Sequence, residues 1–533
     1  MPASRPELSL VPRPRKASPR PGRFVLDRDT RVRALPGAEA AAELLRTLLG
    51  PATGLPLAPA ADGRVVLALD PQLGGLGDEG YGLTVGPQAL LLRAARPTGL
   101  LRGVQTIRQL LPPEALSGGA RAGSWELPCA EISDVPRHPW RGAMLDVARH
   151  FQPVSYLRRY VDLLAFHKLN TLHLHLTDDQ GWRMPVDAFP RLTSVGGHRA
   201  QSLADGVPHS GAYTKQELRD LVTHAAARGV TVVPEIEMPG HVRAALAAYP
   251  ELGNRPGRSL DVWTRWGVCD TVLGVHEQVF DFCRSVLDEV MDVFPSPYIH
   301  IGGEECPTTE WEDSPAARAR AAAEGLAGPR ALHGWFMGRI GSFLVERGRR
   351  PTGWAETGTE LPLDFTVMTW REPAHARAAA RRGHQVVSAH HRTTYLDYAQ
   401  STDPAEPRAQ PGAPVGLHTV YADEPVPEDW EAGEAAQILG TQAQLWTEYV
   451  TTPDRIEYLS YPRLCALADR AWSGDGRDWT GFVERLRHHT ARLDALGVPY
   501  RPLTPRSLMT ASAGTAPTPG SSSPTTVPER NTP

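Results

Sequence analysis

From residue 140 to about residue 500 the chain repeats one pattern. A short apolar or alternating run is followed by a longer segment with apolar residues at helical spacing. The runs RGAMLDVAR (141–149), NTLHLHLTDD (170–179), GVTVVPEIEMPG (229–240), YIHIGGEEC (298–306), PTGWAE (351–356), FTVMTWR (365–371), QVVSAH (385–390) and ILGTQAQLWTE (438–448) read as eight strands. Between them, SYLRRYVDLLAFHK (155–168) reads as a helix capped by Ser155, with Leu157, Val161 and Leu164 on one face. TKQELRDLVTHAAARG (214–229) opens with a capping box, Thr214 and Glu217, and stops at Gly229. Eight parallel strands with intervening helices predict a (β/α)8 barrel over residues 137–505.

Ahead of the barrel, residues 23–136 predict a small α/β domain of sheet and helices. GRFVLD and GRVVLALD are strands with a helix, GAEAAAELLRTLLG, between them. YGLTVG and ALLLRAA form a hairpin across a Gly-Pro turn. PTGLLRGVQTIRQLLPP is a helix capped by Thr98, with Leu101, Val104, Ile107, Leu110 and Leu111 near one face. Residues 1–22 are dense in Pro and Arg and predict a flexible arm. Residues 506–533 are Ser, Thr, Pro, Gly and Ala with little to bury, and predict disorder.

Composition narrows the function classes. A net charge of −4 gives no basic field for nucleic acid or an anionic membrane. No run of 18 apolar residues exists to span a bilayer. Five Cys, at 129, 269, 283, 306 and 465, contain no C-x-x-C pair and read as free thiols. The N-terminus lacks the apolar centre of a signal peptide, so a cytoplasmic location is expected, with secretion from a trimmed precursor still open.

Working residues of such barrels sit at the C-terminal ends of the strands. Those ends carry Arg149 and His150, Asp178 and Asp179, Glu235, Glu237 and His241, Glu304 and Glu305, Trp354 and Glu356, Trp370, Tyr395 and Asp397, and Trp446 and Glu448. Lys is absent from them, which excludes a Schiff-base site there. No phosphate-cradling Gly-rich loop precedes a helix, and no G-x-S-x-G elbow occurs. Carboxylates beside Trp suit a sugar: indole faces stack on pyranose C–H faces, carboxylates and Arg bond hydroxyls, and a carboxylic acid can protonate a glycosidic oxygen.

The segments RGAMLDVARHF, NTLHLHLTDDQGWR, VVPEIEMPGH, YIHIGGEECPTTEW and GTQAQLWTEYV, in this order, resemble glycoside hydrolase family 20, the β-N-acetylhexosaminidases. Residues 23–136, with EGYGLTV and GVQTIRQLLP, resemble the α/β domain that precedes the barrel in that family. The resemblance implies an exo-acting, retaining enzyme without cofactor or metal, acting on an amino-sugar oligosaccharide or glycoconjugate. The substrate's own 2-acetamido oxygen would be the nucleophile, giving an oxazolinium ion. It implies Glu305 as acid and then base, Glu304 as the residue that orients the acetamide and stabilises its positive charge, and Asp178 with His241 as support of the acid. Tyr395 would donate to the acetamide oxygen, and Trp354, Trp370 and Trp446 would line its pocket. Arg149, Asp397 and Glu448 would bond sugar hydroxyls.

The family usually shows Asp where this chain has Glu304. An extra methylene moves a carboxylate by ~1 Å, a misplacement that can cost about 10²-fold. One alternative is therefore a catalytically weakened homologue that binds N-acetylglucosamine. Another is a metal-dependent amidohydrolase built on His173 and His175, with His300 and His390 on later strands. The choice between gluco and galacto configuration, the natural substrate and the oligomeric state are not legible in the sequence.

Overall fold

The computed structural model describes residues 8–118, 124–203, 205–255, 257–357, 361–474 and 476–508. Strands β1 (Lys16–Leu26), β2 (Val32–Ala34), β3 (Val65–Leu69), β4 (Tyr81–Val85), β5 (Leu90–Ala94) and β6 (Trp125–Asp134) form one sheet in the order β1-β6-β4-β5-β3-β2. Helices α1 (Glu39–Thr53) and α2 (Pro97–Leu110) pack on it. The β4–β5 hairpin turns at Gly86, whose N–H bonds the Ala89 carbonyl.

Residues 8–22 are not the flexible arm the composition suggests. Leu10 and Val11 are buried, and β1 pairs antiparallel with β6 along its length. The Val11 N–H donates to Gln109 Oε1 at 3.0 Å and the Arg13 N–H to Asp469 Oδ1 at 2.7 Å. Pro-rich sequence is compatible with a strand here because β1 is the sheet edge, where a missing N–H costs no ladder bond, and the register shifts between Pro19 and Arg23. Residues 1–7 of the expected arm lie outside the described residues, as do residues 509–533 of the expected tail; 505–508 form one helical turn.

The barrel strands are β7 (Trp140–Asp146), β8 (Thr171–His175), β9 (Thr231–Glu235), β10 (Tyr298–His300), β11 (Arg350–Ala355), β12 (Thr366–Thr369), β13 (Gln385–Ser388) and β14 (Ile438–Leu445). They close in chain order, all parallel, with β14 beside β7. Each of the eight falls on one of the runs read as strands, starting within two residues of it, but the runs extend one to six residues past the strand's C-terminal end, where the chain leaves the ladder to build the site. Being covered on both faces, they carry near-continuous burial; every residue of β7 and β8 is buried. Helices α3 (Val154–Phe166), α4 (Lys215–Ala226), α5 (Glu277–Val293), α6 (Leu332–Glu346) and α7 (Pro373–Arg382) cover the outside, and α8 (Arg463–Trp472) follows β14.

Helix starts differ in part from the sequence reading. Thr214 and Glu217 form the capping box of α4, and Gly229 takes φ +70° just beyond it. Ser155 and Thr98 are not caps. Each lies inside its helix, because Pro153 directly precedes α3 and Pro97 opens α2, and a prolyl ring sets the first-turn φ without a side-chain cap.

The two domains are joined by buried charge. Lys168 Nζ lies 2.7 Å from Asp134 Oδ2, and Asp134 also accepts from Tyr81 at 2.7 Å and from the Trp472 indole at 2.9 Å. Glu79 receives Arg102 and Arg141, and Arg102 reaches the Gly229 carbonyl. Burial alone would raise the Glu79 pKa, yet the two guanidiniums hold it down at about 2. Trp472 of α8 packs wholly into the N-terminal core. Among the described residues no helix is long and apolar enough to cross a membrane.

Candidate active site

At the C-terminal end of the barrel lies a cavity of about 200 Å³. Arg149, His241, Glu304, Glu305, Trp354, Trp370, Tyr395, Asp397, Trp446 and Glu448 all line it. Of the eleven site residues expected from sequence, only Asp178 does not; it lies directly behind, against Arg149 and His241.

Local chain geometry puts each group there. β10 ends at His300, and the chain then turns through Gly302 (φ +63°) and Gly303 (φ +102°). A Cβ on Gly302 would lie 1.8 Å from Glu237 Oε2, so the turn requires glycine. Glu305 itself is left-handed at φ +46°, as is His241 at φ +51°. Such conformations are uncommon for residues with a Cβ and cluster at functional sites. Because residues 302–305 form a turn and not a strand, Glu304 and Glu305 do not alternate between faces. Both carboxylates enter one cavity, Glu304 at 8% exposure and the Glu305 side chain at 32%.

Arg149 is held beyond β7 by Asp146, whose Oδ1 accepts the Ala148 and Arg149 N–H groups at 2.8 and 3.0 Å. Its guanidinium contacts Asp178 Oδ2 at 2.7 Å, Asp146 Oδ2 at 3.1 Å and Gln180 Oε1 at 2.8 Å. It also lies 5.1 Å over the Trp446 ring. Trp354 and Trp446 stand 6.0 Å apart, Trp446 and Tyr395 6.3 Å, and Tyr395 and Trp370 6.3 Å, the last pair stacked. These four rings form a partial box.

Asp178 Oδ1 lies 3.3 Å from His241 Nδ1, and His241 Nε2 lies 3.8 Å from Glu305 Oε2. Asp179 Oδ2 also approaches His241 Nδ1, at 3.2 Å. Burial by itself disfavours a charged imidazole, but Asp178 outweighs it and holds the His241 pKa well above its usual value. Burial likewise would raise Asp178, and Arg149, His241 and His175 together hold it down. Burial raises Glu304 to about 8, with His241 opposing and Glu235 adding to the rise. Burial next to Glu304 and Glu235 raises Glu237 as well. Burial and the neighbouring Glu448 raise Asp397.

The histidines of the metal alternative sit elsewhere. His173, His175 and His300 are buried behind the cavity and gather on Glu235 of β9. His173, Glu235 and His300 are close enough together to surround an ion. The Glu235 oxygens, however, already take the Trp354 indole N–H at 2.7 Å and a short bond from His175 Nδ1. His390 is apart from this group, turned toward Thr393. With both Glu235 oxygens already engaged by N–H donors, the group fits a metal poorly.

Three residues not expected from sequence join the site. Tyr398 and Gln410 line the cavity, and the Gln410 N–H bonds the Asp397 carbonyl at 3.0 Å. Gln410 comes from a long loop after β13, and no sequence signal marks it. Arg371 lies 4.2 Å over Trp370, 3.7 Å from Glu305 Oε1 and 2.5 Å from Glu356. Its place directly after Trp370 at a strand end was the signal.

Family comparison agrees with this geometry. Residues 138–475 match the family model "Glycosyl hydrolase family 20, catalytic domain", and residues 7–135 match "Glycosyl hydrolase family 20, domain 2". A β-hexosaminidase of Porphyromonas gingivalis is 39% identical over 429 residues, which is 80% of this chain and 55% of that relative's length. The exo β-N-acetylglucosaminidase of Vibrio harveyi, solved with N-acetylglucosamine, superposes with a TM-score of 0.85 at 32% identity, covering 94% of this chain and 80% of that one. The β-N-acetylhexosaminidase of Streptomyces coelicolor A3(2) gives 0.83 at 33% identity, covering 95% and 99%. With two family models matched one after the other and the strand-end residues gathered in one cavity, the chain belongs to glycoside hydrolase family 20.

Proposed function

We infer that the chain is an exo-acting, retaining β-N-acetylhexosaminidase that removes a terminal N-acetylglucosamine, or N-acetylgalactosamine, from an oligosaccharide or glycoconjugate. The observation that carries the reading is the pair Glu304–Glu305 on one turn, both facing a cavity with room for a single sugar and walled by Trp354, Trp370, Trp446 and Tyr395. An acid and a carboxylate nucleophile must flank the scissile bond from opposite sides at ~5–5.5 Å. Neighbours on one turn suit a different division of labour, in which the substrate brings the nucleophile.

The acetamide oxygen attacks the anomeric carbon, the bond to the leaving oxygen breaks, and Glu305 gives that oxygen its proton. Glu304 faces the acetamide and balances the positive charge of the oxazolinium. Water then attacks the same carbon, Glu305 takes its proton, and the ring opens to restore the acetamide. Two inversions return the β configuration. The aromatic box holds the acetamide within reach of the anomeric carbon, a proximity effect. Arg149, Asp397 and Glu448 offer a donor and acceptors for the sugar hydroxyls.

The test is turnover of N-acetyl-β-glucosaminide, N-acetyl-β-galactosaminide, chitobiose and plain β-glucoside, with and without a thiazoline that mimics the oxazolinium. Turnover of the acetamido substrates alone, blocked by the thiazoline, is expected. Turnover of plain β-glucoside, or indifference to the thiazoline, refutes substrate assistance. Retained ligand binding without turnover identifies the weakened binding homologue instead.

A further inference from the structure

One carboxylate in the barrel interior touches both halves of the site without lining the cavity. Glu235 ends β9 and is fully buried. Its Oε1 accepts the Trp354 indole N–H at 2.7 Å and lies 2.7 Å from His300 Nδ1. Its Oε2 takes a short bond from His175 Nδ1 and lies 3.1 Å from His173 Nε2. The other ring nitrogen of His175, Nε2, meets Asp178 Oδ2 at 2.8 Å. Asp178 in turn meets His241, and His241 faces Glu305. A continuous chain therefore runs Trp354–Glu235–His175–Asp178–His241–Glu305. One end is a wall of the acetamide box and the other is the group placed to protonate the leaving oxygen.

We propose that Glu235 is a positioning residue that fixes Trp354 and, through His175 and Asp178, the His241–Glu305 pair, so that acetamide binding and leaving-group protonation depend on one buried carboxylate. This rests on the hexosaminidase reading above. The chain requires His175 to donate from both nitrogens, which only the imidazolium can do. Burial opposes that charge, but Glu235 and Asp178 on either side outweigh it and carry the His175 pKa up to about 10. With a neutral group at position 235, His175 keeps one N–H and must release one of its two partners. Trp354 and the acid support then lose their common anchor.

Glu235→Gln tests this, assayed as full-length enzyme with N-acetyl-β-glucosaminides of good and poor leaving groups and with a thiazoline inhibitor. The thiazoline Ki is expected to rise at least about 10-fold, and the rate on poor leaving groups to fall at least about 10-fold more than on good ones. Trp354→Phe, which removes the indole N–H and keeps an aromatic ring, should raise Ki without changing the leaving-group dependence. A folded Glu235→Gln enzyme with both readouts within about 2-fold of wild type, or with only one of them moved, overturns the proposal. If the Glu235→Gln variant does not fold, Glu235→Asp keeps the charge and shortens the reach, and is read by the same two outcomes. The wild-type protein gives an independent measurement. Nitrogen NMR of labelled histidine should show His175 with both ring nitrogens protonated at pH 7, and a neutral ring there overturns the chain. Absence of wild-type turnover on every acetamido substrate instead defeats the hexosaminidase reading, and the His175 signal still judges the buried chain.

Discussion

Replacing Glu304 by Gln separates the cost of the site from its use. In the fold Glu304 is buried, its Oε2 has no hydrogen-bond partner, and burial carries its pKa from 4.5 to about 8. The native structure thus favours the neutral acid. The stability that goes with the neutral form is complete below the unfolded pKa of 4.5 and is lost as pH rises through about 8. At ~1.4 kcal/mol for each tenfold in proton affinity, the loss amounts to roughly 5 kcal/mol at most. A Gln side chain stays neutral at every pH and of similar shape. The melting temperature of Glu304→Gln should therefore match wild type near pH 5 and exceed it near pH 9. At about 1–2 °C per kcal/mol for so long a chain, the gain is on the order of 5 °C or more. Asp397 and Glu448, whose pKa values are also raised, are common to both proteins and largely cancel in the difference, whereas Glu237, raised in part by Glu304 itself, adds to it in the same direction. The same variant should lose about 10²–10³-fold in kcat, because no carboxylate then faces the positive oxazolinium. Paired thermal melts at pH 5, 7 and 9 check the argument. A melting difference that does not change between pH 5 and 9 refutes it.

Glu305→Gln should nearly abolish turnover of substrates with poor leaving groups while sparing good ones, measured by kcat across a series of aryl N-acetyl-β-glucosaminides; near-wild-type activity on the poor ones removes Glu305 from the acid role. Tyr395→Phe should cost about 10²-fold in kcat by removing the donor that orients the acetamide oxygen for attack, with single-turnover rates as the measurement. Prolonged dialysis against EDTA should leave kcat unchanged, and a loss restored by added metal revives the amidohydrolase alternative. Lys168→Met leaves the buried Asp134 without its cation and should cost about 3–5 kcal/mol in denaturant unfolding, with KM unaltered in the folded fraction.

The barrel was legible because a strand covered on both faces and a helix covered on one leave different periods in sequence, and the eight strands were set apart by helical segments or turns. Most of the site was legible for a related reason: strand ends are fixed by the same pattern, so Trp354, Trp370, Trp446 and Glu448 could be placed before any geometry was known. What escaped depends on pairings that leave no local trace. The edge position of β1 makes its prolines harmless, but Pro19 and Pro21 read alone suggest a loop. Gln410 reaches the cavity from a long loop through one backbone bond to Asp397. Asp179 shares His241 with Asp178, and only the turn after β8 shows that both carboxylates reach the same nitrogen.

Strand alternation does not govern the most consequential pair, for a reason built into the turn. Glu304 and Glu305 would face opposite ways in a strand, yet both reach the cavity because Gly302 and Gly303 turn the chain first and Glu305 accepts a left-handed φ. Against the inner side of that turn packs Glu237, whose two buried oxygens have no hydrogen-bond partner and whose pKa burial and Glu304 push up. Each of these features costs stability: left-handed backbone at His241 and Glu305, and buried carboxyls without full partners at Glu237 and Glu304. They persist because the surroundings over-determine them, through a barrel closed on all eight strands and the buried ion pairs that lock the N-terminal domain to it. A sequence chosen for stability alone would put Gln or an apolar residue at position 304. That this chain keeps an ionisable group there, in a cavity that resists its ionisation, is the physical mark of a site that waits for a cation to form inside it.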